Sequence, residues 1–241
     1  MQLVGLLCVL AIARLTVSAR PVVRAYPQST ALLRSYLDAF IATGLVALFL
    51  VTFVLEPFYI PSVSMVPTLQ VGDVVLVDEI AYRLHPPARG DIALFTPPIP
   101  SGGTQYVKRI IGIPGDRIKI AGGVVYRNGA ALYEPYENQP PSYTLSIRDY
   151  GIYVNGAALD PRRANIPPRA AWQSADRVPD NCYFVLGDNR NYSDDSHEWG
   201  FAQGRGAFFA GPLAAKGPRA ALGGRGFLVL WPLRRMRLLG G

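Results

Sequence analysis

The sequence predicts a mainly β domain preceded by one or two N-terminal transmembrane helices. Near the N-terminus, residues 39–55 form an apolar run without a charged side chain. After residue 57, short apolar runs alternate with Gly, Pro, Asn and Asp, and no amphipathic helical pattern longer than about two turns follows residue 82. Half of the 241 residues are hydrophobic, 17% are charged and the mean hydropathy is +0.18, which excludes a disordered chain and fits a membrane segment.

The apolar run is long enough to cross most of a membrane. At about 1.5 Å per residue, the segment AFIATGLVALFLVTFVL at 39–55 extends about 25 Å, close to the ~30 Å hydrocarbon core of a bilayer. The core helix of a soluble protein would usually show a polar face, and this segment shows none. We therefore predict a transmembrane helix over residues 38–57.

The segment before this span, residues 1–37, is apolar at first and then rich in arginine. Residues 2–13 are apolar, but Arg14 ends the run, and no basic residue precedes it as in a cleavable signal peptide. They could form a second, marginal span or a buried or interfacial helix. Four arginines and no acidic residue precede Asp38: Arg14, Arg20, Arg24 and Arg34. By the positive-inside rule, we expect this basic stretch to be cytoplasmic and residues 58–241 to be exported.

Charge and cysteine content narrow the possible partners. The net charge is +7, and only three of the 24 basic residues are lysine. The arginines are scattered apart from a short basic tail at 234–237, so we predict no nucleic-acid binding. With only two cysteines, Cys8 and Cys182, the chain cannot form a disulfide-rich scaffold or a multi-cysteine metal site.

The exported part has the pattern of short strands and tight turns. Five apolar runs are rich in β-branched or aromatic residues: 74–77, 92–95, 106–111, 117–120 and 183–186. Four Gly-Asp pairs act as turn signals, at 72–73, 90–91, 115–116 and 187–188. Residues 124–132 and 151–159 each place Asn-Gly between two short apolar runs, which is typical of a β-hairpin. We predict a β domain over residues 58–241 with a hairpin insert around residues 120–180.

Four segments of this domain carry residues suited to chemistry. PSVSMVPTL at 61–69 holds Ser62 and Ser64 between two prolines, which restrict the backbone and would fix the geometry of the serines. The other three are RGDIALF at 89–95, YVKRIIGIPGD at 106–116 and the polar run GDNRNYSDDSHEWG at 187–200.

A serine nucleophile needs a base to accept its proton, and histidine is the usual base. Of the two histidines, His85 lies in a proline-rich loop typical of a protein surface. His197 follows two aspartates, so a Ser-His-Asp arrangement stays open at this point. A metal site is disfavoured, because neighbours in one turn seldom converge on an ion without a distant ligand. Such a cluster would comprise Asp194, Asp195, His197 and Glu198, and we predict no metal and no cofactor.

Lys108 is the better candidate for the base. It lies in the apolar run 106–111, where strand alternation would place it on the same face as Tyr106 and opposite Val107 and Arg109. A lysine acts as a base only when it is neutral, so burial would have to lower its pKa from about 10.4 by ~2–3 units. An apolar strand close to a lipid surface would supply that burial.

These four segments, in this order after a membrane span, resemble the motifs of bacterial type I signal peptidases (leader peptidases). The resemblance is close over residues 58–120 and 178–200 and looser over GRGFLVLWPL at 224–233. It implies a signal-peptidase-like β-barrel or β-sheet catalytic domain and a serine endopeptidase that removes N-terminal signal peptides from exported preproteins. It also implies action at the outer face of the bacterial cytoplasmic membrane, with signal peptides and membrane lipid as partners.

The resemblance also implies roles for individual residues. Ser64 matches the nucleophile, Lys108 matches the general base, and Ser62 matches the hydroxyl that completes the oxyanion hole with the Ser64 backbone N–H. Ser193 matches the serine that orients the lysine ammonium, and the supporting residues are Asp195, Asp188, Arg190 and Arg109. Small residues are expected at substrate positions −1 and −3, because bulky side chains would wall the site: Ile60, Met65, Leu69, Tyr106 and Val107.

Some features depart from the family pattern. Asn191 stands where the family usually has Asp, and His197 where it usually has Arg. If these positions normally form ion pairs, the support here should be hydrogen-bonded or absent. The connector at 201–225, rich in Gly, Ala and Arg, is also longer than usual.

Three alternatives stay open. A specialised Ser-Lys peptidase that matures a conjugation pilin shares the serine and lysine motifs, but the hairpin region 120–160 favours the general processing enzyme. A cytosolic self-cleaving Ser-Lys repressor protease is disfavoured by the membrane span. In a non-enzymatic, membrane-tethered β domain, Ser64 and Lys108 would be incidental.

Overall fold

The computed structural model describes residues 2–19, 23, 26–97, 104–204 and 222–240. The chain divides into two compact units, residues 1–56 and residues 57–241. Of the features predicted above, Arg20, Arg24 and most of the connector at 201–225 lie outside the described residues.

The described part of the N-terminal unit contains two long helices. Helix α1 spans Gln2–Val17 and helix α2 spans Pro27–Phe53. Arg14 forms an ion pair with Asp38 (2.6 Å), and Leu7 packs against Gly44, so the helices run antiparallel. A Cβ at position 44 would lie 2.5 Å from Leu7 Cδ2, so glycine permits this close approach.

Helix α2 contains the one segment among the described residues that is long and apolar enough to cross a membrane, Pro27–Phe49. The helix begins earlier than predicted and ends at Phe53. Strand β1 (Leu55–Tyr59) follows, so the prediction of a helix over residues 38–57 is wrong at its C-terminal end. Pro57 explains the difference, because proline cannot donate the amide hydrogen bond of a helix interior.

Most of the remaining strands are short, and the five predicted ones are confirmed to within one residue at each end. In chain order they are β2 (Val74–Asp78), β3 (Ile92–Phe95), β4 (Tyr106–Gly112), β5 (Ile118–Ala121), β6 (Val124–Arg127), β7 (Ala130–Ala131), β8 (Leu145–Arg148), β9 (Gly151–Val154), β10 (Ala157–Ala158), β11 (Cys182–Leu186), β12 (Ala202–Gln203), β13 (Leu222–Trp231) and β14 (Arg237–Leu238). The shorter helical elements are α3 (Ala81–Leu84), α4 (Ser196–Trp199) and two 3-10 turns, Arg169–Ala171 and Leu233–Arg235.

The strands form two sheets of mainly antiparallel pairs, which confirms the mainly β fold class. The larger sheet has the order β1-β2-β13-β3-β4-β11-β12, with β14 paired to β13. The smaller sheet has the order β10-β9-β8-β5-β6-β7. Its strands come from the part of the chain for which a hairpin insert was predicted.

Both predicted hairpins are present in the smaller sheet. The turn residues Asn128 and Gly129 have φ of 54° and 87°, and Asn155 and Gly156 have φ of 49° and 82°. Asn and Gly tolerate this left-handed conformation, which matches the twist of the flanking strands in a two-residue hairpin turn.

Strand β4 occupies an interior position of the larger sheet, between β3 and β11, and six of its seven residues are buried. Its register pairs Lys108 with Ala93 and Arg109 with Ile92 of β3. Apolar side chains from several strands and from the serine segment pack into one core cluster that includes Met65, Leu69, Val75, Ile92 and Val229. Pairing on both sides therefore holds the backbone of Lys108 in one place.

Candidate active site

A cavity of about 350 Å³ lies between the serine segment and the start of strand β4. Both candidate reacting groups, Ser64 and Lys108, are among its lining residues. Four of the five residues predicted to wall the substrate site also line it: Ile60, Met65, Tyr106 and Val107. Folding thus brings two separate motifs to one concave surface, the usual form of a ligand site.

Leu69 does not line this cavity, which corrects the prediction for that residue. Its side chain is fully buried and belongs to the same core cluster as Met65 and Val75. The Leu69 N–H donates to the Met65 carbonyl (2.8 Å), and this turn carries Leu69 into the core. Of the lining residues that the sequence did not predict, three lie outside the four motifs of the sequence analysis: Phe58, Thr104 and Gln105. Four more stand in those motifs but were not predicted to line the site: Pro61, Val63, Tyr192 and Asp194.

The polar run after β11 holds the backbone of the serine segment. The Asn189 N–H donates to the Ser64 carbonyl (3.0 Å), and Asn189 Nδ2 donates to the Val63 carbonyl (3.1 Å). On the cavity side, the hydroxyl of Ser64 lies 3.2 Å from the hydroxyl of Ser62. Asn189 was not predicted, and its position in the polar run was the available signal. Asn189 therefore restrains the main chain of the serine segment, while Ser64 lines the cavity.

Lys108 lines the same cavity as this hydroxyl pair and is buried, with 3% of its surface exposed. Burial, opposed by the negative charges of Asp195, Asp194 and Asp188, lowers the pKa of Lys108 to about 8. Its Nζ lies 5.5 Å from the centre of the Tyr106 ring, so these two side chains share a face as predicted. An amine with this pKa is neutral often enough near neutral pH to accept a proton.

Gly187 packs directly against two of the predicted site serines. A Cβ at this position would lie 2.4 Å from the Ser64 carbonyl oxygen and 2.3 Å from Ser193 Oγ, so no larger residue fits. The Gly187 N–H donates to Asp195 Oδ2 (2.9 Å), and Arg190 Nε donates to the Gly187 carbonyl (3.0 Å). Within the described part of the chain, the buried Ser193 hydroxyl has no hydrogen-bond partner.

Arg109 and Asp188 form a buried ion pair behind the site. The guanidinium donates through two nitrogens to the two carboxylate oxygens, both at 2.8 Å, and lies 3.8 Å from the centre of the Tyr136 ring. Asp188 also accepts a hydrogen bond from the Thr68 hydroxyl. These contacts tie strand β4 and the polar run to the serine segment.

Arg190 forms the second buried ion pair. It donates to both carboxylate oxygens of Glu134 (2.8 Å each) and to Glu137 (3.2 Å). Burial lowers the pKa of Arg190, but the hydrogen bonds and charges of these two glutamates outweigh it and raise that pKa above its ordinary value. The glutamates lie in an irregular segment without a motif, so the sequence analysis missed them.

Asn191 and His197, the two residues that depart from the family pattern, both form hydrogen bonds. This is one of the two outcomes expected, the other being that the support is absent. Asn191 accepts the Ser142 N–H (2.8 Å) and donates to the Pro140 carbonyl (3.0 Å). His197 places Nδ1 at 2.7 Å from Asp195 Oδ1. Main-chain and side-chain hydrogen bonds therefore support the polar run at these two positions.

In the described residues, the structure brings together neither a histidine base with Ser64 nor a metal-binding cluster. His197 is absent from the lining of the cavity that holds Ser64, and His85 is exposed on its loop. Across the described ranges, no group of three or more His, Cys, Asp and Glu side chains is arranged to hold a metal ion.

A buried lysine of lowered pKa and a restrained serine line one cavity, an arrangement that is chemically suited to a serine hydrolase. Comparison with known proteins agrees with this class. The family model described as "Signal peptidase, peptidase S26" matches residues 33–207. The chain belongs to this signal peptidase family and is a serine endopeptidase.

Individual relatives carry the name signal peptidase I. Probable signal peptidase I-2 of Synechocystis sp. is 39% identical over 192 residues, which cover 78% of this chain and 68% of the relative. Signal peptidase I of Leptolyngbya laminosa is 36% identical over 195 residues, which cover 78% of this chain and 75% of the relative. A crystal structure of a signal peptidase I from Enterococcus faecalis is 32% identical in sequence. The match covers 49% of this chain and 91% of the Enterococcus chain, with a TM-score of 0.33.

Proposed function

We propose that this chain removes N-terminal signal peptides from secretory preproteins, with Ser64 as the nucleophile and Lys108 as the general base. One observation carries the proposal: the cavity that contains Ser64 also contains a buried lysine whose pKa is lowered to about 8. The relatives named signal peptidase I support the substrate class.

The reaction is an acyl transfer in two halves. The neutral Lys108 amine accepts the Ser64 hydroxyl proton while the oxygen attacks the scissile carbonyl carbon. The Ser62 hydroxyl and the Ser64 backbone N–H donate to the oxyanion that forms. Collapse breaks the C–N bond, and the Lys108 ammonium gives its proton to the departing amine. The Lys108 amine, neutral again, then takes a proton from water as the water oxygen attacks the ester carbonyl carbon. Collapse breaks the bond from this carbon to Ser64 Oγ and releases the signal peptide, and Lys108 returns the proton to Ser64 Oγ.

The surrounding polar groups position these atoms. Ser193 has a buried hydroxyl that lacks a hydrogen-bond partner among the described residues, which supports its role in orienting the Lys108 ammonium. The ion pairs of Arg109 and Arg190, with the Asp195 contact to Gly187, restrain the backbone behind the nucleophile. Such restraint keeps the reacting atoms within the narrow geometry that acyl transfer needs.

We further infer that helix α2 anchors the chain in the lipid of the bacterial cytoplasmic membrane, with the peptidase unit on the extracytoplasmic side. The arginines before Asp38 support this orientation through the positive-inside rule. A reporter enzyme that is active only after export should therefore be active when fused to Gly241. The same reporter fused within residues 18–26 is the control and should be inactive. The reverse pattern would contradict the orientation.

The cavity walls predict selection for small residues next to the scissile bond. Ile60, Met65 and Val107 line the cavity with bulky side chains. A pocket bounded by such side chains should accept alanine but clash with leucine. For a preprotein with Ala at −1 and −3, we expect Leu at −1 to reduce kcat/KM by about 10–200-fold.

This preference and the proposed function are measured in one assay. The detergent-solubilised full chain is incubated with the matched preproteins, and the new N-terminus of the product is identified by mass spectrometry. A preprotein with the same Ala→Leu change far from the bond is the control. Equal cleavage with Leu at −1 would contradict the pocket assignment, and cleavage of a pilin precursor alone would indicate the specialised peptidase instead.

A further inference from the structure

A series of direct contacts links His197 to the nucleophile segment. The carboxylate of Asp195 is fully buried; its Oδ1 lies 2.7 Å from His197 Nδ1, and its Oδ2 accepts the Gly187 N–H at 2.9 Å. Gly187 in turn packs against the Ser64 carbonyl and the Ser193 hydroxyl, with no room for a Cβ. Any change in how His197 holds Asp195 therefore reaches the backbone of the nucleophile.

The imidazole of His197 is surrounded by acceptors suited to its charged form. Glu198 Oε1 lies 3.3 Å from Nε2, so a carboxylate faces each ring nitrogen, and Asp194 adds negative charge from the same turn. From another part of the chain, the Tyr143 ring stacks on the imidazole at 4.3 Å. Burial lowers the pKa of His197, but the hydrogen bond to Asp195 and the charges of the three carboxylates outweigh it and raise that pKa above its ordinary value.

The same carboxylate acts on the proposed base. Asp195, Asp194 and Asp188 each favour the ammonium of Lys108, and Asp195 has the largest effect of the three. Tyr106 is a further titratable group that faces the amine, with its ring centre 5.5 Å from Nζ. A cation at position 197 offsets the Asp195 charge, whereas a neutral residue there leaves it uncompensated, and Lys108 then holds its proton to higher pH.

We propose that His197 is a positioning residue: its imidazolium holds Asp195 against the Gly187 N–H and offsets the Asp195 charge at Lys108, so the base becomes active at lower pH. The inference rests on the proposed role of Lys108 as the general base. Imidazole loses its charge as the pH rises, so the stabilisation of Asp195 by His197 depends on pH. The arginine that the family usually has at this position would keep its charge.

The test compares a charged and a neutral residue at position 197. For the detergent-solubilised full chain, kcat/KM for preprotein cleavage is measured from pH 5.5 to 10. His197→Arg should keep the rising limb at or below its wild-type midpoint. His197→Asn should move the limb about 0.5–1 pH unit higher, so that cleavage at pH 7 falls about three- to tenfold and largely recovers above the limb. The control is His85→Asn, which changes the exposed histidine and should leave the profile unchanged.

Two outcomes separate this inference from the proposed function. A wild-type profile without a rising limb would overturn the lysine base and this inference together. A wild-type limb whose midpoint is the same in His197→Arg and His197→Asn would overturn the role of His197 alone, as would a loss of rate that is equal at every pH.

A second measurement does not depend on activity or on the folding of a His197 variant. Coupling between two titrating sites is reciprocal, so removing the Lys108 ammonium must change the titration of His197. In Lys108→Met, the NMR titration midpoint of the His197 imidazole should move to higher pH than in the wild type, because a nearby positive charge is lost. The His85 signal is the internal control. An unchanged His197 midpoint would overturn the inference.

Discussion

Replacing Lys108 with arginine is expected to reduce preprotein cleavage by about 10²–10⁴-fold, as severely as replacing it with alanine. Arginine preserves the positive charge, but its guanidinium does not lose a proton in the assay range and cannot accept one from Ser64. Lys108 can, because burial lowers its pKa to about 8. The neutral fraction of the wild-type amine is then about a tenth at pH 7 and about half at pH 8.

The same argument determines the direction of the pH dependence. Activity requires the neutral amine, so kcat/KM should rise with pH through the pKa of Lys108 and fall about tenfold per unit below it. Cleavage rates from pH 5.5 to 10 measure this for the wild type and for Lys108→Arg. The matched control is Lys119→Arg, at an exposed lysine of strand β5, which should keep the wild-type profile. Retained activity in Lys108→Arg would remove lysine from the mechanism, and a limb near pH 6–7 with complete loss in His197→Arg would indicate a histidine base.

Ser64→Ala should abolish cleavage, with a loss of about 10⁴–10⁶-fold, because it removes the hydroxyl proposed as the nucleophile. Ser62→Ala should have a smaller effect, about 10²–10³-fold in kcat, because it removes one donor to the oxyanion and leaves the nucleophile in place. The two hydroxyls lie 3.2 Å apart, so their variants separate attack from oxyanion stabilisation at nearly the same position.

Single-turnover rates and KM for both variants would measure this difference. Ser142→Ala, at an exposed serine outside the cavity, is the matched control and should cleave at the wild-type rate. Thermal unfolding of each variant shows whether the fold is preserved. Comparable losses in the two variants, or a Ser64→Ala enzyme that still forms product, would contradict the assigned roles.

The elements that the sequence predicted correctly depend on local interactions. The strands Ile92–Phe95 and Val74–Asp78 were recognisable because β-branched and apolar residues recur over a few positions, and both hairpins because Asn-Gly favours one turn geometry. Ser64 and Lys108 were recognisable because each stands in a distinctive local motif. The end of helix α2 was misplaced, because hydropathy continues past Phe53 while the backbone changes before Pro57.

The residues that were missed or misassigned depend on contacts between distant parts of the chain. Glu134 neutralises Arg190 across 56 positions, and no local pattern marks that glutamate as a partner. Leu69 was predicted to line the substrate site because it is close to the serines in sequence. The backbone turn from Met65 to Leu69 instead places its side chain in the core. Gly187 was predicted to be a turn glycine, like Gly72. Unlike Gly72, it has no positive φ, and glycine is required there because the Ser64 carbonyl oxygen occupies the place of a Cβ.

By itself, the sequence determined a mainly β peptidase unit after an apolar helix and nominated the serine and the lysine, because short-range propensity and motif chemistry are encoded in neighbouring residues. Only the tertiary structure decided whether that lysine can act as a base. Its pKa of about 8 is a balance between burial in strand β4, which lowers the pKa, and three aspartates in a segment about 80 positions away, which raise it. Desolvation and charge act through space, so their balance exists only once the sheet has brought those segments together.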